Sequence, residues 1–571
     1  MRMLHRGLLS LLVLGIVAGC AAPVQTTTGS VPNGQAAPPS ANTLKRITAA
    51  TKNAPSFMYY KPHPGPTAGA EEIGDLLDTG LVIADDHATL RPQLAEAVPS
   101  LDNGLWRVFP DGRMETQVQL KPGVLWHDGT PFTADDLVFT FRLSSDPELL
   151  PLRHVGFDSI EEVDATSPDT VVVRWKRPYI DADALFSTRF ALPLPKHLLE
   201  QAYAENKAGL MDIGYWTDKF VGTGPFKLQE FERGNHVILE ANDAYVLGRP
   251  KLDEIDVRFI TDDNTFVANL LAGAVDFTLG RGPSLEQALM VRDQWHGGRV
   301  EFKSLDSWLV VYPQFLDPSP SAVADPQFRR ALLTAIDRQQ IVQSIQAGLV
   351  PVADGNISPN NPRYAEIQAG IVRYAYDPRL AAQLLVESGY TKGPDGVFRD
   401  AANQPLSVQI RATTVLDILP KTTLAVADYW QQLGINVDTD IRSVQEARDP
   451  EWTADFPSFA LQRQTGGERF LPNLRSSQAR TPERGFNGLN VARYMNPEMD
   501  ALIDRYVTTV PIDERTKLTS QIIHRITDDA IWLTLFFDTE PALISNRLAN
   551  VSARGEDSNM SWNAEQWDLL Q

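Results

Sequence analysis

Cysteine is almost missing. Cys20 is the only one among 571 residues, so no disulfide can form within the chain. Long apolar runs are scarce too. Beyond the N-terminal segment nothing approaches 18 uninterrupted apolar residues, which excludes a membrane-spanning helix in the rest of the chain. There is no repeat at a solenoid period. Positive charge is in deficit: 52 Lys and Arg stand against 72 Asp and Glu, for a formal net charge of −20 and a pI near 4.9. That sign opposes nucleic acid and anionic lipid, whose phosphates need basic partners.

Catalytic signatures are missing as well. The chain has no Gly-x-Ser-x-Gly elbow and no His-Glu-x-x-His pair. Its nine His residues are scattered, no two within one helical turn. His127-Asp128 sits at a turn, where a structural role is expected. The acid pairs Asp85-Asp86, Asp135-Asp136, Asp262-Asp263 and Asp528-Asp529 point their members in different directions, which suits solvated surface better than a catalytic dyad. Gly222-Thr223-Gly224 is followed by Pro225 and a β-forming run, where a phosphate loop would need a helix start. These absences predict a binder, with no catalytic residue, metal or cofactor.

What is present begins at the N-terminus. Met1, Arg2, His5 and Arg6 precede an apolar stretch from Leu8 to Val17, then Val17-Ala18-Gly19-Cys20. A positive start, a short apolar core and small residues before a boundary make a secretory signal, predicted over 1–20. Its ending resembles the bacterial lipoprotein signal, which implies that Cys20 becomes the lipidated first residue. From Ala21 to Thr43 there is no charge. So polar a stretch cannot bury enough surface to offset its ordering entropy, so a disordered tether is expected over 21–43. As a flexible coil it would span roughly 25–30 Å.

The remaining body, roughly 530 residues, is too large for one core, and two or three domains are expected. Leu44 to Ala50 reads as a first strand. After it come Phe57, Met58, Tyr59 and Tyr60 and a Pro-rich loop, Lys61 to Pro66. Tyr59 and Tyr60 are candidate ligand contacts, because aromatics on loops after strands often line sites. Glu71 to Leu81 has helical spacing and Met114 to Leu120 alternates as a half-buried strand. Asp128-Gly129 marks a turn, and Thr133 caps a helix expected to face the core with Leu137, Val138 and Phe141. Asp325-Pro326, Asp377-Pro378 and Asn496-Pro497 each put a capping residue before Pro at a helix start, and Asp337 restarts a helix. Short strands are read at 237–239, 255–259, 408–410 and 435–437. Helices alternating with strands predict an α/β protein.

Several of these pieces carry a resemblance. Gly80-Leu81-Val82, Pro92-Gln93-Leu94-Ala95-Glu96 and above all Trp126-His127-Asp128-Gly129-Thr130-Pro131-Phe132-Thr133-Ala134-Asp135-Asp136 resemble the extracellular solute-binding proteins of family 5. Leu194-Pro195-Lys196-His197-Leu198-Leu199, Gly222-Thr223-Gly224-Pro225-Phe226, Asp325 to Leu332, Tyr376-Asp377-Pro378 and Tyr494 to Asp500 continue it. The resemblance covers about 44–571. It implies a two-lobed periplasmic-binding-protein fold, type II-like, with an extra subdomain inserted in the first lobe. The first lobe would comprise 44–80, 194–303 and 535–571, the insertion 81–193 and the second lobe 304–534. The chain would cross between lobes near Phe302 to Trp308 and near Leu533 to Phe537. The implied partners are a peptide or other small polar solute and an ABC permease with its ATPase. Membrane contact would come through the lipid anchor only, and the receptor would be a monomer.

Peptide-binding members often carry a Trp followed shortly by an Asp that holds the peptide ammonium. Here the matching region, Phe456 to Gly467, has neither at those places, and Arg463 and Gln464 stand there instead. An Arg suits a carboxylate or phosphate, and a Gln with aromatics suits a neutral solute such as an oligosaccharide. Trp308 at the expected crossing, Trp452, Phe470 and Asn490 complete the candidate ligand-binding residues. Because fold does not fix function, a secreted enzyme or ligand sensor, or a non-peptide binder of oligosaccharides or organic acids, stays open at this point.

Overall fold

The structure, a computed structural model, describes residues 44–60 and 69–570, with backbone alone at 155, 304 and 305. The signal, Cys20, the tether and the loop Lys61 to Pro66 lie outside the described residues. Among the described residues no helix is long and apolar enough to cross a membrane.

One mixed sheet of ten strands organises residues 44–570. From edge to edge it runs Asn436–Arg442, Ser407–Thr413, Phe459–Gln464, Gly298–Pro313, Leu533–Ser545, Phe277–Thr278, Arg46–Thr51, Glu254–Phe259, His236–Ala241 and Phe226–Glu232. Arg46–Thr51 lies parallel to both of its neighbours, and its Ile47, Ala49 and Ala50 are fully buried, as expected for a strand covered on both faces. The two long central strands pair antiparallel from Gly298 opposite Ser545 to Val311 opposite Leu533. Their register slips between Ser304 and Trp308 and again between Leu309 and Val310.

Separate cores flank the sheet. One gathers Ile47, Leu76, Leu194, Val257, Ile544 and Trp567. A second gathers Leu309, Phe328, Ile410, Trp430, Phe459 and Leu535. A third belongs to a four-stranded sheet ordered Trp106–Val108, Met114–Gln119, Thr170–Trp175, Ile160–Ser167. The helix Ala134–Ser144 serves two cores: Leu137 joins the third, whereas Phe139 and Leu143 turn to the first. Val138 and Phe141, expected to face the core, are only partly buried at its margin. A fourth core packs Trp308, Phe470 and Trp532 against Ile503 and Ile522.

Caps hold the helix starts. Asp325, Asp377 and Asn496 each accept a backbone N–H from the first turn behind a Pro. Thr133 and Asp136 form a reciprocal capping box. Asp136 also accepts the Lys196 N–H at 3.0 Å and, at 3.4 Å, the indole N–H of Trp126. The Trp126–Asp136 and Leu194–Leu199 motifs are therefore one joint. His127 is structural too: its Nδ1 accepts from the Gly222 N–H at 3.2 Å and its Nε2 lies 3.1 Å from the Gly224 carbonyl. Burial pushes its pKa down to about 4, so it is neutral at pH 7. Gly222 and Gly224 lie against the Leu77–Asp78 backbone, where any Cβ would collide. Close approach, not phosphate, explains these glycines.

Candidate functional site

The strand Leu533–Ser545 is buried along nearly its whole length, yet its middle reads Phe537-Asp538-Thr539-Glu540. Buried carboxylates need partners, and three arginines supply them. Arg463 reaches across from Phe459–Gln464, donating from Nε to Asp538 at 2.6 Å and from a terminal nitrogen to Glu540 at 2.8 Å. Arg281 donates to the same two residues at 3.1 and 3.0 Å, and Arg554 stands 3.7 Å from Glu540. Burial alone would raise the Glu540 pKa. The three guanidinium groups win and hold it at about 2.

This cluster forms part of the wall of a cavity of about 790 Å³, within the usual range for small-ligand sites. Lys52, Glu72, Arg281, Asp417, Lys421 and Arg463 are among the residues that line it. Two lining residues meet, Lys421 and Glu286, at 2.7 Å. Further along, Arg469 pairs with Asp557, which also takes Arg189 at 2.6 Å. A smaller apolar pocket of about 220 Å³ is lined by Leu416, Leu419, Trp452, Phe456 and Leu461, and shares Val415, Leu416 and Arg463 with the large cavity.

Of the residues singled out by sequence, Arg463 and Trp452 lie in this region. Trp452 donates its indole N–H to Asp440 at 2.8 Å, and the Arg442 guanidinium lies 4.7 Å from its ring centre. The rest are placed elsewhere, for identifiable reasons. Tyr59 and Tyr60 are buried in the first core, their hydroxyls donating to the Leu192 and Phe190 carbonyls, each at 2.8 Å. Trp308 is fully buried, 5.4 Å from the Phe470 ring, so both are core residues. Asn490 is a loop brace, giving its amide to three carbonyls, the shortest Tyr494 at 2.6 Å. Gln464 is half-buried against Gln462 at 3.0 Å and lines neither cavity. Glu468, the nearest acid after Arg463 in the chain, is spent internally on Asn361 and Thr519.

Sequence reasoning missed Arg281, Asp538, Glu540, Arg554 and Glu72. The readable signal was the acidic break in an otherwise apolar run at 533–545. It also missed Asp306, whose carboxylate lies 4.0 Å from where a side chain at Gly467 would begin; burial raises its pKa. One group could reach a metal among the described residues, Glu230, Glu232 and His236. It lies on the edge hairpin, where His236 sits 3.6 and 3.5 Å from the two carboxylates.

An α/β molecule with separate cores, one sheet running through it, and a charged cavity over two shared strands defines a two-lobed solute receptor of the periplasmic-binding-protein type. The chain belongs to the bacterial extracellular solute-binding proteins, family 5, whose middle region matches residues 89–469. It is 27% identical over 476 residues to the oligopeptide-binding protein AppA of Bacillus subtilis, covering 82% of this chain and 81% of that one. The solved structure of that protein with a nonapeptide superposes with a TM-score of 0.72 at 22% identity, over 92% of this chain and 99% of the other. NikZ from Campylobacter jejuni, solved with Ni(L-His), gives a TM-score of 0.75 at 21% identity, over 92% and 100%. These relatives are binding proteins, not enzymes.

Proposed function

We propose that this chain is the lipid-anchored receptor of an ABC importer, closing two lobes around a peptide or related small polar solute. The observation that carries this reading is the cavity of about 790 Å³ bridged by Lys421–Glu286. In this reading the first lobe is 44–80, 194–303 and 535–571, with 81–193 inserted, and the second is 304–534. The register slip near Ser304 and Trp308 supports a hinge in the paired strands, and hinge closure would bury the solute. The closed shape is what the permease and its ATPase would receive. Similarity to an oligopeptide-binding protein supports a peptide, while similarity to a protein solved with Ni(L-His) supports a wider range of polar ligands. Cys20 and the chargeless 21–43 segment support a lipid anchor and a leash for a monomeric receptor.

The test is the melting temperature of the full chain with peptides, oligosaccharides and organic acids, beside mass spectrometry of whatever copurifies. A rise of several degrees with a peptide class supports the receptor; no rise with any solute rejects it. Cys20→Ser should release the protein from membranes without altering ligand affinity. Loss of affinity in that variant would count against the tether.

A further inference from the structure

Seven acids and five bases line the large cavity, and every base there already has an acid. Lys52 holds Asp263 at 2.5 Å. Lys421 holds Glu286 at 2.7 Å and Asp417 at 3.4 Å. Arg281, Arg463 and Arg554 share Asp538 and Glu540. Two acids are left over, Glu71 and Glu72, adjacent on the helix Ala70–Leu77. Neither has an ion pair or side-chain hydrogen bond among the described residues.

Glu72 is the informative one. Only 3% of it is exposed, and it lines the cavity. An unpaired carboxylate so deeply buried is costly. Room is nevertheless kept for it: Gly280 has φ +71°, and a Cβ there would stand 2.9 Å from a Glu72 carboxylate oxygen. Burial lifts the Glu72 pKa to about 7, opposed by Arg554 and reinforced by Glu71 and Glu540. Arg281 and Arg463 cannot serve an incoming anion without abandoning Asp538 and Glu540, and Arg554 stands in the field of Glu540, Glu72 and Glu71 together. Arg463 is therefore a counter-ion for the strand and not a carboxylate clamp, and the unmatched charge in the cavity is negative.

We propose that the Glu71–Glu72 end of the cavity is a subsite for a cationic group, an alkylammonium or guanidinium, so that the receptor selects basic solutes. This rests on the solute-receptor reading and gives it a ligand class. The cation can come from a peptide N-terminus, a basic side chain or a free diamine, and the probes separate these sources.

Isothermal titration of the full chain would use tri-alanine, its central-lysine and central-glutamate forms, the N-acetylated central-lysine form, and cadaverine. The central-lysine peptide should bind about tenfold or more tighter than the central-glutamate one, the worth of a charge-assisted contact. Glu72→Gln should shrink that gap to under about threefold. Glu71→Gln, at an exposed position, should narrow it in part and serves if the first variant fails to fold. Loss of binding on acetylation assigns the subsite to the N-terminal ammonium. Retention assigns it to the side chain, and tight cadaverine binding to free amines. Equal affinity for lysine and glutamate peptides overturns the proposal, as does an unchanged gap in Glu72→Gln. If no solute binds at all, the receptor reading falls as well; binding without charge preference sinks only this subsite.

Discussion

Arg463 joins two carboxylates that the long strand Leu533–Ser545 would otherwise bury at high cost. Replacing it with Ala leaves Arg281 to serve both. Arg463→Ala should therefore cost about 1–3 kcal/mol in urea unfolding, less than the roughly 3–5 kcal/mol seen when a buried charge loses its only partner. Arg463→Lys should recover little, because an ammonium cannot span two acceptors as a guanidinium fork does. Equal stability of Arg463→Ala and the parent chain would show that Arg281 suffices. At this scale the sequence was half legible. Arg463, a departure from the expected pattern, and Trp452, a large aromatic, both line cavities. Tyr59, Tyr60, Trp308 and Phe470 are equally large aromatics and lie in the cores. Large aromatics do either job, and the choice depends on which carbonyl or ring the fold brings near, such as Leu192 for Tyr59. Glu72 was invisible, because its meaning lies in what does not face it.

At the scale of elements, local chemistry and structure agree most closely. The Asp-Pro and Asn-Pro starts at 325, 377 and 496 cap helices as read, and the strands at 237–239 and 255–259 appear with their ends extended by a residue or two. Thr133 and Asp136 do more than the sequence disclosed, since Asp136 ties its helix to Lys196, sixty positions away. Asp136→Ala removes a capping contact and a long-range bond together. It should lower stability by about 2 kcal/mol in chemical denaturation, against about 1 kcal/mol for a cap alone; a loss confined to the lower figure would make the Lys196 contact neutral. The helices Ile418–Leu433 and Ile512–Asp528 were not singled out. Neither has a side-chain cap to announce its start, although Gly434 ends the first in a left-handed C-cap.

For the whole molecule, acid–base balance sets a direction. Burial raises Glu72 and Asp75 to about 7 and Asp78 to about 8, from ordinary values of 4.5, 3.8 and 3.8. Between those limits the folded chain keeps protons that the unfolded chain has released, so rising pH favours unfolding. His127, pushed from 6.5 to about 4, acts the other way between those values, but it is one group against three. Glu540, held at about 2, adds stability above its ordinary 4.5 that is lost as pH falls toward 2. The melting temperature should peak at about pH 5 and decline toward pH 8. Asp78→Asn should flatten the alkaline limb, and an unchanged limb would mean that Asp78 is ionised in the folded state.

The first core closes Ile47 against Trp567 and Ile544, and Lys45 reaches Asp568 at 2.7 Å. A chain that emerges from its N-terminus first, from a ribosome or through a secretion channel, holds its opening strand long before the residues that cover it arrive. Contacts so distant in sequence form late and slowly. In a receptor exported as proposed above lateness would be an advantage, since nothing near residue 47 can lock into its final packing before residues 544–568 arrive. The same closure that finishes the core would make the passage irreversible.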